Sequence, residues 1–151
     1  MKKAAATVIL IFTAVSGIGL LWHLGHGILL FARTDYGDKN TNSHSRREIG
    51  DAVSMARNKF RNFEGCMMTE LRYSEELSQQ ETAYYNDLLK CYIGDPNKWV
   101  DDVIVLESTF STSKVFSEPT FNGCTQRGWK WVITHTPERG WELKDGAWGY
   151  A

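Results

Sequence analysis

Residues 4–31, AAATVILIFTAVSGIGLLWHLGHGILLF, run for 28 positions without an aspartate, glutamate, lysine or arginine. No other feature constrains the chain as strongly. Roughly 20 apolar residues in a helix cross the hydrocarbon of a bilayer, so the run suffices with some tilt to spare. A cleaved signal peptide has an apolar region of only about 7–15 residues followed by a small-x-small site. This run is longer, and its nearest match, LLFA, puts Leu30 where a small residue is needed. No cysteine follows before Cys66, which removes a lipid-attachment site. The expectation is an uncleaved transmembrane signal anchor over 4–31 that makes the lipid bilayer a partner.

Orientation rests on flanking charge and tail length. Lys2 and Lys3 precede the run, while Arg33, Lys39, Arg46 and Arg47 follow it within the range that counts. A three-residue tail is rarely exported by a signal anchor, so residues 1–3 are expected in the cytoplasm. The rest of this single-pass protein of the cell membrane is then extracytoplasmic. Residues 32–44 are polar and turn-rich and read as a linker; 45–151 read as the domain.

Residues 34–151 carry 14 Lys and Arg against 18 Asp and Glu, a formal charge of −4. That balance lacks the basic face that grips phosphate backbones, so no nucleic acid is expected as a partner. The charge is uneven, however. Arg46, Arg47, Arg57, Lys59 and Arg61 face only Glu48 and Asp51, whereas residues 64–107 hold ten acids and three bases. A solvated helix face explains the basic block, as does a helix lying near anionic headgroups just beyond the anchor. Cys66, Cys91 and Cys124 allow three alternative pairings in an oxidising compartment, and no CxxC spacing suggests zinc.

The hydrophobic periodicity changes along the domain. Ser45 stands three residues before Glu48, and Ile49, Ala52, Val53, Ala56, Phe60 and Phe63 recur at helical spacing. The stretch CMMTELRYS reads as a short strand, with Met67, Leu71 and Tyr73 on one face and Met68, Glu70 and Arg72 on the other. A second helix follows, its inner face formed by Leu77, Tyr84, Tyr85, Leu88, Leu89 and Tyr92. From Asp101 the period becomes two. Ile104, Leu106 and Phe110 share one face and Val103 and Val105 the other, so this strand reads as buried on both sides in its first half. The chain closes with GWKWVITH and GWELKDGAWGY joined by the turn TPERG. The pattern predicts an α+β fold: one antiparallel sheet packed on helices gathered to one side.

Four of the six tryptophans fall in the 23 positions from Gly128 to Tyr150. Buried, each covers roughly 150–250 Å², which at about 25 cal/mol per Å² makes them core and pocket wall rather than a docking patch. With the elements Tyr73 to Glu76, Val103 to Phe110, Trp129 to Ile133 and Trp141 to Tyr150, residues 45–151 resemble the cone-shaped fold named after nuclear transport factor two. They are most similar to small exported bacterial domains of that type. The resemblance implies a curved antiparallel sheet wrapped on two or three helices around a conical cavity. Its walls would include Trp129, Trp131, His135, Trp141 and Tyr84.

Three functions compete. The first is a binding module for a small apolar ligand or peptide. The second is a scaffold subunit with protein partners in a membrane-associated secretion or conjugation assembly, whose inner-membrane scaffolds have a similar layout. The third is an acid–base enzyme using His135 with Asp145, which share faces of adjacent strands with the tryptophans. No G-x-S-x-G and no glycine-rich phosphate loop accompanies that pair, so no catalytic residue is assigned and no cofactor or metal is expected. His23 and His26, beside Trp22, suit a membrane–water boundary.

Overall fold

Helix α1 (Arg46–Phe60) begins where the sequence places it. Ser45 Oγ accepts from the Glu48 N–H, and the Glu48 carboxylate accepts in return from the Ser45 N–H at 2.8 Å. Two of the donors left over at a helix start are thereby satisfied. These Ser45 bonds hold the Glu48 carboxyl below its ordinary value. Ile49, Ala52, Val53, Ala56 and Phe60 form the buried stripe.

This computed structural model describes residues 32–38, 43–89, 98–112 and 123–144. The expected span 4–31 lies outside them, as do His23 and His26; among the described residues no helix is long and apolar enough to cross a membrane. Besides α1 the described elements are β1 (Arg33–Asp35), β2 (Cys66–Tyr73), α2 (Glu75–Leu89), β3 (Asp102–Thr112), β4 (Thr125–Thr136) and β5 (Gly140–Leu143). The strands form one sheet in the order β1-β2-β3-β4-β5. The fold class is α+β, as the periodicity predicts.

Four features differ from expectation. First, the sheet is mixed. β2 to β5 run antiparallel, but β1 joins β2 in parallel, Thr34 beside Leu71. Residues read as linker therefore belong to the domain. Ala32 and Tyr36 pack on the core, Arg57 Nη2 donates to Thr34 Oγ1 at 2.6 Å, and the Arg46 guanidinium stands 4.9 Å from the Tyr36 ring centre. A three-residue strand has no periodicity to read, which is why it escapes the sequence.

Second, the helices do not gather on one side. α1 covers the face of Ile104, Leu106, Phe110, Trp131 and Ile133. α2 packs on β3 from the other side, where Val103 and Val105 point and are fully buried. The Lys144 ammonium, on that same outer side, stands 4.3 Å from the Tyr85 ring centre of α2.

Third, the two faces of β2 are not divided as strict alternation predicts. A bulge between Met68 and Glu70 switches the parity, so Met68 joins Leu71 and Tyr73 in the core. A second register shift, between Ser108 and Phe110, lies beside it, and Thr69 Oγ1 donates to Thr109 O at 3.1 Å. Gly128, with φ +67°, sits in β4 on the other side of that shift. Bulges in neighbouring strands at one level bend a sheet.

Fourth, α2 is less buried than its apolar residues suggest. Tyr84 is 57% and Leu88 47% exposed.

Cys66 and Cys124 are not bridged to each other. Cys66 pairs with Thr112 across β2 and β3, and Thr112 N–H donates to Cys124 O on its other side. Two strand spacings, roughly 9.5 Å, separate them, beyond the reach of a disulfide. Cys91 lies outside the described residues.

The final hairpin matches its expected turn: β4 ends at Thr136 and β5 starts at Gly140, with His135 opposite Trp141. Gly140 has φ +73° and open space where a Cβ would stand. Gly140→Ala is expected to cost about 1 kcal/mol through backbone strain alone. Chemical denaturation checks this: a change in midpoint at unchanged slope is expected.

Candidate functional site

The tryptophans divide between two places. Trp131 is 3% exposed and donates its indole N–H to Ser108 Oγ at 2.9 Å. With Trp129 it joins Phe60, Phe63 and Phe110 in a continuous aromatic core, ring centres 5.2–6.4 Å apart. Trp141 stands at the far end of the sheet between two histidines, 5.8 Å from the His44 ring and 5.0 Å from His135. Tyr84 reaches neither group; its ring contact is with Tyr85. The five residues expected to wall one cavity therefore do not converge.

His135 does meet an aspartate, but it is Asp101. The imidazole Nδ1 lies 2.6 Å from Asp101 Oδ1, with both side chains substantially exposed. Asp145 lies outside the described residues.

A second and better enclosed histidine–aspartate pair is built from residues with no sequence signal. His44 immediately precedes the N-cap of α1 and is 93% buried. Its Nε2 lies 3.0 Å from Asp102 Oδ1, and its Nδ1 lies 2.7 Å from the Tyr73 hydroxyl and 3.2 Å from Ser43 Oγ. A carboxylate only accepts, so Nε2 carries a proton. Tyr73 in turn donates to Glu75 Oε2 at 2.5 Å. The chain Asp102–His44–Tyr73–Glu75 thus ties the start of β3, the approach to α1, the end of β2 and the start of α2 together.

The network shifts its own ionisations. Burial works to raise the Glu75 carboxyl. The Tyr73 hydroxyl, the Ser43 backbone N–H and hydroxyl and the Gln79 amide all donate to it, and they hold it down to about 2. Burial, followed by donation to Glu75, pushes the Tyr73 hydroxyl up to about 12. A depressed carboxyl stabilises the fold above its ordinary 4.5, and that gain is lost as pH falls from there toward 2. Solvent at the rim reduces the full shift to about 1–2 kcal/mol. The urea midpoint is expected to fall between those limits, and to fall less in Glu75→Gln; an equal fall in both would contradict the assignment. Tyr73 acts at the other extreme, its contribution complete below 10 and lost as pH rises toward 12.

Beside this network lies an open groove of about 320 Å³ lined by Ser43, His44, Ser78, Gln79, Thr82, Ala83, Asn86 and Asp102. Ser78, Thr82 and Asn86 recur every fourth residue and present one flank of α2. Among the described residues Asp102 is the carboxylate in this wall, and no lysine or arginine lines it. The Asp102 side chain is 43% exposed. Its bonds from His44, Thr82 and the Val103 N–H all fall on Oδ1. None of these bonds falls on Oδ2. Both His44 nitrogens are engaged, and the imidazole orients this carboxylate.

A second cavity of about 240 Å³ lies on the outer face at the row of bulges, among Glu70, Arg72, Glu107, Thr109, Arg127 and Gly128. Arg72 donates there from Nε and Nη2 to Glu107 Oε2, at 3.1 and 2.6 Å. The groove at His44 is the better candidate, because its carboxylate is oriented by a buried histidine. Compared with known proteins, the chain matches no family model, no curated protein and no solved structure.

Proposed function

We propose that this chain is a single-pass membrane protein whose extracytoplasmic domain binds a small polar ligand in the groove between His44 and α2. The observation that carries the reading is Asp102: a carboxylate held by His44 at one oxygen, on the wall of a groove of small-molecule size. The lining of hydroxyls and amides suits a ligand with several hydrogen-bond donors, and replaces the apolar ligand that the tryptophans alone suggest. The uncharged run 4–31 supports the anchor. The aromatic motifs shared with the cone-shaped family support a domain of that type, in which a pocket is the working part.

The test is a thermal-shift and NMR screen of the full-length chain against small amines, polyols, amino acids and hydrophobic compounds. A polar compound is expected to stabilise the protein and to move the Thr82 and Asn86 signals. Asp102→Asn is expected to weaken it at least about tenfold, equivalent to about 1.4 kcal/mol. Stabilisation by hydrophobic compounds alone, or undiminished binding by Asp102→Asn, would defeat the reading.

A further inference from the structure

The parallel strand β1 places the domain against whatever the preceding segment occupies. The apolar run ends at Phe31 and β1 begins at Arg33, so a single residue separates them. Consecutive Cα atoms are about 3.8 Å apart, so the first residue of the sheet lies within about 8 Å of the last apolar one. The linker that would let the domain stand away is not there, because its first residues are paired with β2 and packed on the core.

The neighbour of β1 on this side is α1, and its charges are sorted. At about 3.6 residues per turn, Arg46, Arg57 and Arg61 fall on one stripe with Gly50, and Arg47, Ser54 and Asn58 lie next to it. Arg57 and Arg46 face β1 directly, through Thr34 and the Tyr36 ring. Arg46, Arg47 and Arg61 are exposed. Of the acids of the helix, Glu48 lies away from this arc and is engaged by Ser45, and Asp51 stands at its edge, one turn on from Arg47. The helix flank nearest the apolar run therefore carries four arginines against one bordering carboxylate, in a domain whose formal charge is −4.

We propose that this arginine flank of α1 rests on the anionic headgroups of the membrane, an inference that rests on the reading of 4–31 as a span. Arg46, Arg47 and Arg61 make the lipid contacts. Arg57, half-buried and bonded to β1, fixes the helix relative to the strand that leaves the bilayer. A guanidinium pairs with phosphate oxygens through two parallel N–H bonds, and anionic lipids draw juxtamembrane basic clusters within a Debye length. The groove at His44, at the N-terminal end of the same helix, is thereby held at a fixed height above the membrane.

The test uses the full-length chain in lipid nanodiscs carrying a gadolinium-chelating headgroup, with amide signals read by NMR. In discs with about 30 mol% phosphatidylglycerol, the Arg47, Ser54 and Asn58 signals are expected to broaden strongly. Broadening is expected to drop at least threefold in phosphatidylcholine discs, at about 0.5 M salt, or in the triple variant Arg46→Gln/Arg47→Gln/Arg61→Gln with the core signals unmoved. Equal broadening in neutral discs, or none at these amides while the chain co-purifies with the discs, overturns the contact but leaves the span standing. A chain that does not associate with discs of either composition overturns both.

Discussion

Trp131→Ala is expected to be the most damaging single substitution, at about 3–5 kcal/mol. The ring lies against Phe60 and Phe63, and its indole N–H is satisfied inside the core by Ser108 Oγ. Truncation removes a large apolar surface from β4 and opens a cavity among Phe60, Phe63 and Trp129. It also removes the donor that the Ser108 hydroxyl accepts from, leaving that buried group only its 3.5 Å bond to Trp129 O. Trp131→Phe keeps most of the volume and loses the hydrogen bond, so about 1–3 kcal/mol is expected there. Urea or guanidinium denaturation of the two variants checks both numbers. Near-equal costs would mean that the indole N–H, rather than packing, is the dominant contribution.

The second large effect is expected from a single oxygen atom. β2 ends at Tyr73, opposite Leu106, so the next stretch of β3 has lost its strand neighbour on that side. Ser74 N–H donates to Val105 O, and Ser78 Oγ accepts from Val105 N–H at 2.9 Å while donating to Ser74 O at 2.6 Å. A side chain from α2 thus stands in for the missing strand, in a place where Ser78 and Val105 are fully buried. Ser78→Ala leaves a backbone N–H with no partner and no water. A loss of about 1–3 kcal/mol is expected. Two measurements check it: the denaturation midpoint should fall, and the Val105 amide should exchange faster than its neighbours on β3. An unchanged Val105 exchange rate would contradict the assignment.

Both residues bear on the proposed ligand groove through the elements that frame it. Ser78 lines it, and β4 carries both Trp131 in the core and His135, whose ring stands tilted 5.0 Å from Trp141 behind His44. Of the candidate site, little was legible beforehand. His135 and Trp141 were marked by their place on alternating strands, and they do adjoin the groove's wall. His44 and Asp102 carried no such mark. They are 58 positions apart, one in a polar stretch read as linker and one at the first residue of a strand. Such a pairing has no period or motif, because it depends on where the approach to a helix crosses the end of a sheet.

The same division holds for the fold. Ser45 with Glu48, the stripe from Ile49 to Phe60, the doubly buried Val103–Leu106 and the turn before Gly140 were readable because each depends on interactions within a few residues. Capping, periodicity and turn chemistry are local physics, and the chain states them outright. The side of the sheet taken by each helix, the parity switch at Thr69 and the recruitment of Arg33–Asp35 into a parallel pair depend on partners distant in sequence. Only the assembled sheet chooses among those, because each burial competes with others of similar energy and packing decides which can occur together.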